Sequence, residues 1–428
     1  MAASIFDSAI YRDLTFDRDI ATLFTDSAEV RAMMIVEGAL AKVQGQLGVI
    51  PEISAKAIHR ASLEIQIDPS ALSDSAGRSA DPVAGLVAHF RSLMQAPEHA
   101  QWVHFGATGQ DIMDTALALR LRQVTTLYRD RLTTLVVALG NMAEAHASTP
   151  TIDQTGGLTS FGGQVSAWGR PLLTLLERLD DLSPRILQVS LGDSHAAYKD
   201  KGAEVRAAFA AGLNLSDPAA NWHADRSGLV EFAGWMTQVT TQLATIAQDL
   251  FRRSQMGDVS IGTESGTATV LPSLLTAISQ MMAGLNSTMQ QTPKSRMQGD
   301  VSTAIAEWMA LPYMCLMTGR ALGAAGDLAA SLTVNAGKMT ARITAHNDHI
   351  FAEALIQTLT ETLGRAAAEQ KVFELCQTVN AQGSSLQPHA IDAWPDLDFT
   401  KTFDAAAQIA TASRDAKSFK VRTTLLAK

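Results

Sequence analysis

Between Gln110 and Thr149 the chain carries one glycine, Gly140, and no proline. Through that run Met113, Leu117, Leu121, Val124, Tyr128, Leu132, Leu135, Leu139 and Met142 recur at spacings of three and four, which predicts a single amphipathic helix. A rod of about 36 residues at 1.5 Å each is roughly 54 Å long, whereas a compact globule of this chain length has a radius of gyration of only about 22 Å. Such a rod crosses an ordinary monomer from side to side. The run therefore predicts a bundle shared between subunits.

A second run places Leu229, Phe232, Met236, Val239, Leu243, Ile246 and Leu250 at alternating steps of three and four, the 3.5-residue repeat of helices packed nearly parallel. Further helical stretches are expected from Gly162 to Val189, interrupted at Pro171 and Pro184, and from Pro272 to Gln290 with proline in its first turn. Another runs from Val301 to about Ile343, with a kink at Pro312. Alternating β-branched and aromatic runs bounded by turns do not occur, so the fold class is all-α. Breakers at Asp81-Pro82, Ala96-Pro97 and Ser216-Asp217-Pro218, with the polar stretch Ala345 to Asp348, divide the chain into three. The expectation is an N-terminal helical domain (1–100), a central bundle (101–345) and a C-terminal helical domain (346–428).

Formal charge is −9 and no block of lysine and arginine interleaves with aromatics, so nucleic acid is not an expected partner. Cys315 and Cys376 both sit in apolar helical patterns without CxxC spacing, which suits a reducing cytoplasm. The opening MAASIFDSAIYRDL has acidic residues where a signal peptide needs basic and apolar ones, and no run reaches the length of a membrane span. The reading expects a cytoplasmic protein with no membrane partner.

Trp102-Val103-His104-Phe105-Gly106-Ala107-Thr108-Gly109-Gln110-Asp111 resembles the H-x-G-x-T-S-x-D segment of the fumarase/aspartase superfamily, in its 3-carboxy-cis,cis-muconate cycloisomerase form. The similarity continues in order through Leu23-Phe24-Thr25-Asp26, Leu47-Gly48-Val49-Ile50-Pro51, Trp222-His223 with Arg226, Glu307-Trp308 with Leu311-Pro312, and Leu363-Gly364-Arg365. The resemblance implies three helical domains, a homotetramer whose long helices form one bundle, and active sites assembled from loops of three subunits. It also implies a small polycarboxylate substrate and no cofactor.

Chemistry of this type moves a proton beside a carboxylate and needs preorganised donors for the developing charge, with one base. On the resemblance, His104, Thr108 and Gln110 face the substrate from the first loop, while the family's serine is replaced by Gly109. Asp111 is read as a helix cap. The second loop, Thr155-Gly156-Gly157-Leu158-Thr159-Ser160-Phe161-Gly162, is shorter than the family's and lacks its glutamine. Thr155, Thr159 and Ser160 are candidate hydroxyls there, all three open to a second reading as caps of the helix after Gly162. After Leu191, Asp193 and His195 add titratable groups, read either as an acid/base pair or as a solvated turn.

The signature loop becomes Gly262-Thr263-Glu264-Ser265-Gly266-Thr267, in which Ser265 keeps the position of the base and Thr267 that of a substrate hydroxyl, but the family's lysine and asparagine are gone. Arg226 offers a fork for a carboxylate, or else pairs with Asp225 or Glu231. Lys294 and Arg296 lie where relatives carry basic substrate ligands. His346 and His349 flank Asp348 without a third ligand, so no metal is assigned. Three readings stay open: a cycloisomerase or lyase, a scaffold kept as a binding or structural protein, and altered chemistry through Asp193, His195 and Glu264.

Overall fold

The computed structural model describes residues 4–192, 197–262, 269–293, 301–345 and 348–426. Of the helices of eight residues or more, the first are α1 (Asp26–Gln46), α2 (Glu52–Glu64), α3 (Pro82–Leu93) and α4 (Gly109–Ala145). A hairpin of β1 (Pro150–Ile152) and β2 (Leu158–Ser160) leads to α5 (Phe161–Ile186), α6 (Gly202–Leu213) and α7 (Ser227–Gln255). Then follow β3 (Val259–Ile261), α8 (Val270–Met289), α9 (Val301–Ala330) and β4 (Leu332–Val334), which pairs antiparallel with β3. The chain closes with α10 (Ala336–Thr344), α11 (Ala352–Leu363), α12 (Arg365–Gln382), α13 (Leu386–Ala393) and α14 (Ala410–Leu426).

The fold is all-α, with two three-residue ribbons as its β-structure among the described residues. Helix α4 is 37 residues long and unbroken, in line with the periodic run. The interruptions expected at Pro171 and Pro184 do not occur, since α5 runs through both, and Pro312 lies inside a continuous α9. An interior proline costs a helix about 3 kcal/mol or more. Around the first two, Leu172, Leu176, Leu179 and Leu182 are all buried, and a buried leucine returns about 1.5–3 kcal/mol. The long stretch expected from Val301 to Ile343 is divided at Ser331, where the backbone leaves α9 to form β4 before α10 begins.

The chain forms two compact units, one of residues 1–130, 175–241 and 277–323, the other of 131–174, 242–276 and 324–428. In the first, Met33, Val36 and Leu40 of α1 pack with Ile58, Leu86, Phe90, Val103 and Ile112, a core that also takes in Val205 and Phe209 of α6. Within the same unit Tyr128 stacks against Trp235 at 6.0 Å and donates its hydroxyl to the Cys315 carbonyl at 2.6 Å. Burial drives the Cys315 thiol up to about 12.

In the second unit α14 is seated on glycines. A Cβ at Gly140 would lie 2.1 Å from Thr423 Oγ1, and one at Gly169 would lie 2.1 Å from the Phe419 ring, so no larger residue fits without movement. Asp249 accepts from Trp168 Nε1 at 3.2 Å and Arg253 Nε at 3.3 Å, while Arg253 reaches Thr151 on β1 at 3.3 Å. That buried network ties the hairpin to α7. A separate apolar cluster, built on Leu355, Leu359, Val372, Val379 and Leu386, holds α11 to α13 together.

Candidate active site

The first loop delivers its polar groups to the start of α4, inside the first unit. Thr108 caps the helix: its hydroxyl accepts from Asp111 N at 3.2 Å and donates to Asp111 Oδ2 at 2.7 Å, while Thr108 N donates to the same oxygen at 2.9 Å. This reciprocal box satisfies the free N–H groups at the helix start. The Thr108 hydroxyl is thus committed to the protein.

Asp111 does more than complete that box. Its Oδ1 accepts from Gly192 N at 3.0 Å, Ser190 Oγ at 3.2 Å and His223 Nε2 at 2.8 Å, and its side chain is fully buried. One carboxylate therefore joins the first loop, the segment after α5 and the segment before α7. Burial alone would raise this carboxyl, but the hydrogen bond and charge of His223, with the bonds from Thr108, hold it below the usual carboxylate range. The segment after α5 is fixed a second time, because Ser190 N donates to Thr115 Oγ1 at 2.9 Å and Trp222 Nε1 donates to the Val189 carbonyl at 3.0 Å.

His104 sits with φ +62°, a left-handed backbone that a non-glycine residue adopts only under restraint. The restraint is Glu37 on α1, a side chain 1 % exposed, whose Oε1 lies 2.7 Å from His104 Nδ1. With Nδ1 so engaged, Nε2 is the ring nitrogen that Glu37 does not hold. Burial would lower the imidazole, yet Glu37, aided by Asp81 and Asp111, raises it above its ordinary value. His104 is accordingly oriented by Glu37 and biased toward its charged form.

Arg226 is 3 % exposed and has both sides of its fork in use. Nε and Nη2 donate to Glu307 at 2.8 and 2.5 Å, Nη1 donates to Asp114 at 2.9 Å, and the guanidinium lies 4.8 Å over the Trp222 ring. Neither Asp225 nor Glu231 is its partner; Asp225 caps Ser227 N and Glu231 pairs with Arg185. Burial and the neighbouring Asp114 raise the Glu307 carboxyl in spite of Arg226.

Gln110 lies on a cavity of about 870 Å³ that runs along α4 to Arg120, with Arg226 and Glu307 also on its wall. Thr155 lies in the second unit, at the turn of the β1–β2 hairpin. There its N–H and hydroxyl both donate to Asp153, at 2.8 and 2.7 Å. Ser160 caps α5 by accepting from Gly163 N at 2.9 Å. Ser265, Thr267, Glu264, Asp193, His195, Lys294, Arg296 and His346 lie outside the described residues.

A family model described as lyase matches residues 16–268. The chain belongs to the lyase family. Along 94 % of its length it is 28 % identical to the 3-carboxy-cis,cis-muconate cycloisomerase of Acinetobacter baylyi, covering 93 % of that protein. It is 28 % identical to the nitrosuccinate lyase of Streptomyces davaonensis over 92 % of this chain and 89 % of the relative. The crystal structure of 3-carboxy-cis,cis-muconate lactonizing enzyme from Pseudomonas putida superposes with a TM-score of 0.89 at 25 % identity, over 98 % of this chain and all of that one.

This lyase is an enzyme of the fumarase/aspartase superfamily, and its first loop shows how it departs from the pattern. A Cβ at Gly109 would stand 2.4 Å from Asp81 Oδ2 and 2.6 Å from Oδ1. Where the family motif has a serine side chain, the lyase has the carboxylate of Asp81, which also caps α3 by accepting from Val83 N at 2.8 Å. Glu37, Asp81, Asp114, Glu307 and His223 were not singled out as site residues from the sequence. Glu37 had left a signal: it is a lone acid inside the apolar run Met33-Met34-Ile35-Val36-Glu37-Gly38-Ala39-Leu40.

Proposed function

We propose that this lyase acts on a small carboxylate in the manner of 3-carboxy-cis,cis-muconate cycloisomerase, by proton transfer next to a carboxylate. The observation that carries the reading is the His104–Glu37 pair beside the capped start of α4. A buried carboxylate fixes one ring nitrogen and biases the imidazole toward the cation, which suits a donor to charge developing on a substrate carboxylate. Gln110 is proposed as a second donor, and Ser265 as the base on the family resemblance. Arg226, with Asp114 and Glu307, acts by holding α4, α7 and α9 in register rather than by gripping substrate.

The assembly is proposed to be a homotetramer, placed in the cytoplasm. Ile305, Trp308, Met309 and Tyr313 on α9 are large apolar residues at least 38 % exposed, as expected of a face that another subunit covers. No helix among the described residues is long and apolar enough to cross a membrane.

The test is turnover of 3-carboxy-cis,cis-muconate by the purified protein, read as loss of its ultraviolet absorbance. His104→Ala is expected to lower kcat/KM by about 100-fold, the usual worth of a positioned acid or donor. No turnover with enzyme equimolar to substrate would overturn the assignment. A second reading rests on Asp81, whose carboxylate makes the first loop less welcoming to a trianion than a serine would. It predicts faster turnover of a substituted succinate, such as nitrosuccinate, than of 3-carboxymuconate in the same assay.

A further inference from the structure

The cavity along α4 contains a cation that its own protein leaves incompletely paired. Arg120 is 8 % exposed; its Nη1 reaches Glu29 Oε2 only at 3.5 Å, and among the described residues its buried Nε has no hydrogen-bond partner. The guanidinium rests 5.6 Å from the Phe24 ring centroid. Burial lowers its basicity, and Glu29 offsets this only in part. Arg226, on the same cavity wall, contrasts with it, because all three of its donors there meet carboxylates at 2.9 Å or less. A buried guanidinium with an idle N–H is costly unless something supplies the missing acceptor.

We propose that the Arg120 end of this cavity is a second ligand site, apart from the His104 loop although Gln110 stands at the cavity's other end, which takes a single carboxylate carried on an apolar body. The ligand's carboxylate completes the fork of Arg120. Its body lies against Met33, Met113, Leu117 and Leu311, which line the space. At about 870 Å³ the cavity is within the range of small-molecule sites. Charge sets the class of ligand. Asp26 and Asp68 stand exposed at the cavity, and Asp68 is held ionised by the Ser70 N–H, so a second negative charge on the ligand meets repulsion. Arg120 lies ten residues beyond Gln110, or about 15 Å along the helix, which keeps the carboxylate end of this site apart from the proposed chemistry.

Calorimetry on the full protein with benzoate and octanoate, against succinate and inorganic phosphate, tests the proposal. Saturable binding of benzoate or octanoate, at least ten times tighter than that of succinate or phosphate, is expected. Arg120→Met should weaken it tenfold or more, and Leu117→Trp, which fills the wall while keeping Arg120, should abolish it. His104→Ala should leave it unchanged, so that failure of the active-site assignment and failure of this one are told apart. No binding of either monocarboxylate, binding undiminished in both cavity variants, or tighter binding of succinate would overturn the proposal. So would a change of oligomeric state in Leu117→Trp without monocarboxylate binding by the parent, which would assign the cavity to a second copy of the chain.

Discussion

Replacing Arg226 with methionine should be among the most damaging single substitutions in the first unit. Arg226, Asp114 and Glu307 have side chains 4, 3 and 5 % exposed, so one cation faces two carboxylates with little water to help. Methionine keeps much of the volume and the contact with Trp222 but leaves both acids without a counter-charge. Removing one partner of a buried pair costs about 3–5 kcal/mol. With a urea m-value of about 3 kcal/mol/M, the midpoint should fall by about 1 to 1.7 M. The assay is urea unfolding followed by far-ultraviolet circular dichroism, at one protein concentration because assembly contributes to apparent stability. The triple variant Arg226→Met, Asp114→Asn, Glu307→Gln should recover part of the loss, since the stranded charges are gone. A shift below about 0.3 M for Arg226→Met, equivalent to under about 1 kcal/mol, would refute the view that this triad organises the unit.

Two carboxyls in this unit should titrate with opposite effects on stability. Asp111 is held below its ordinary 3.8, so its contribution is complete above that value and lost as pH falls through the folded pKa; Asp111→Asn should therefore cost most at neutral pH and converge with the parent in acid. Glu307 is raised above 4.5, so its contribution is present below that value and lost as pH climbs through the folded pKa; Glu307→Gln should gain on the parent over that rise, measured by urea midpoints across pH. Gly109→Ser, which restores the family's residue, should destabilise because Asp81 occupies the space. Gly109→Ser with Asp81→Gly should recover most of that loss, apart from a few tenths of a kcal/mol for the weaker cap. Gly169→Leu should loosen α14, read as faster amide exchange from Ala416 to Thr423, because Phe419 fills that position. Unchanged exchange would refute the seating of α14.

Periodicity was enough to reveal α4, since a 37-residue helix needs no partner to be recognised, and the breakers located its start. It failed at Pro171 and Pro184, where tertiary burial outweighs a local penalty that a sequence scan counts in full. The role of Asp111 was half legible: threonine three residues ahead of an acid announces a cap, but nothing local announces Ser190, Gly192 or His223. Glu37 and His104 are 67 positions apart, so only the oddity of an acid in an apolar helical run pointed to a buried pairing. Asp81 was legible as part of the Asp81-Pro82 breaker and illegible as the group that fills the space at Gly109, because that contact belongs to the fold and to neither segment alone.

The way Asp111 gathers its donors bears on how this lineage can change. Three of its partners, Thr108, Ser190 and His223, give side chains, so drift at any one of them breaks a bond. Gly192 gives only its backbone N–H, but a Cβ there would stand 3.0 Å from Asn221 Nδ2, so a side chain at this position requires Asn221 to shift. Replacement at Gly192 therefore depends on one flexible neighbour, whereas replacement at the other three removes a bond outright. Among descendants of this protein, substitutions at Gly192 should travel with changes at Asn221, and those at the three side-chain donors should remain scarce.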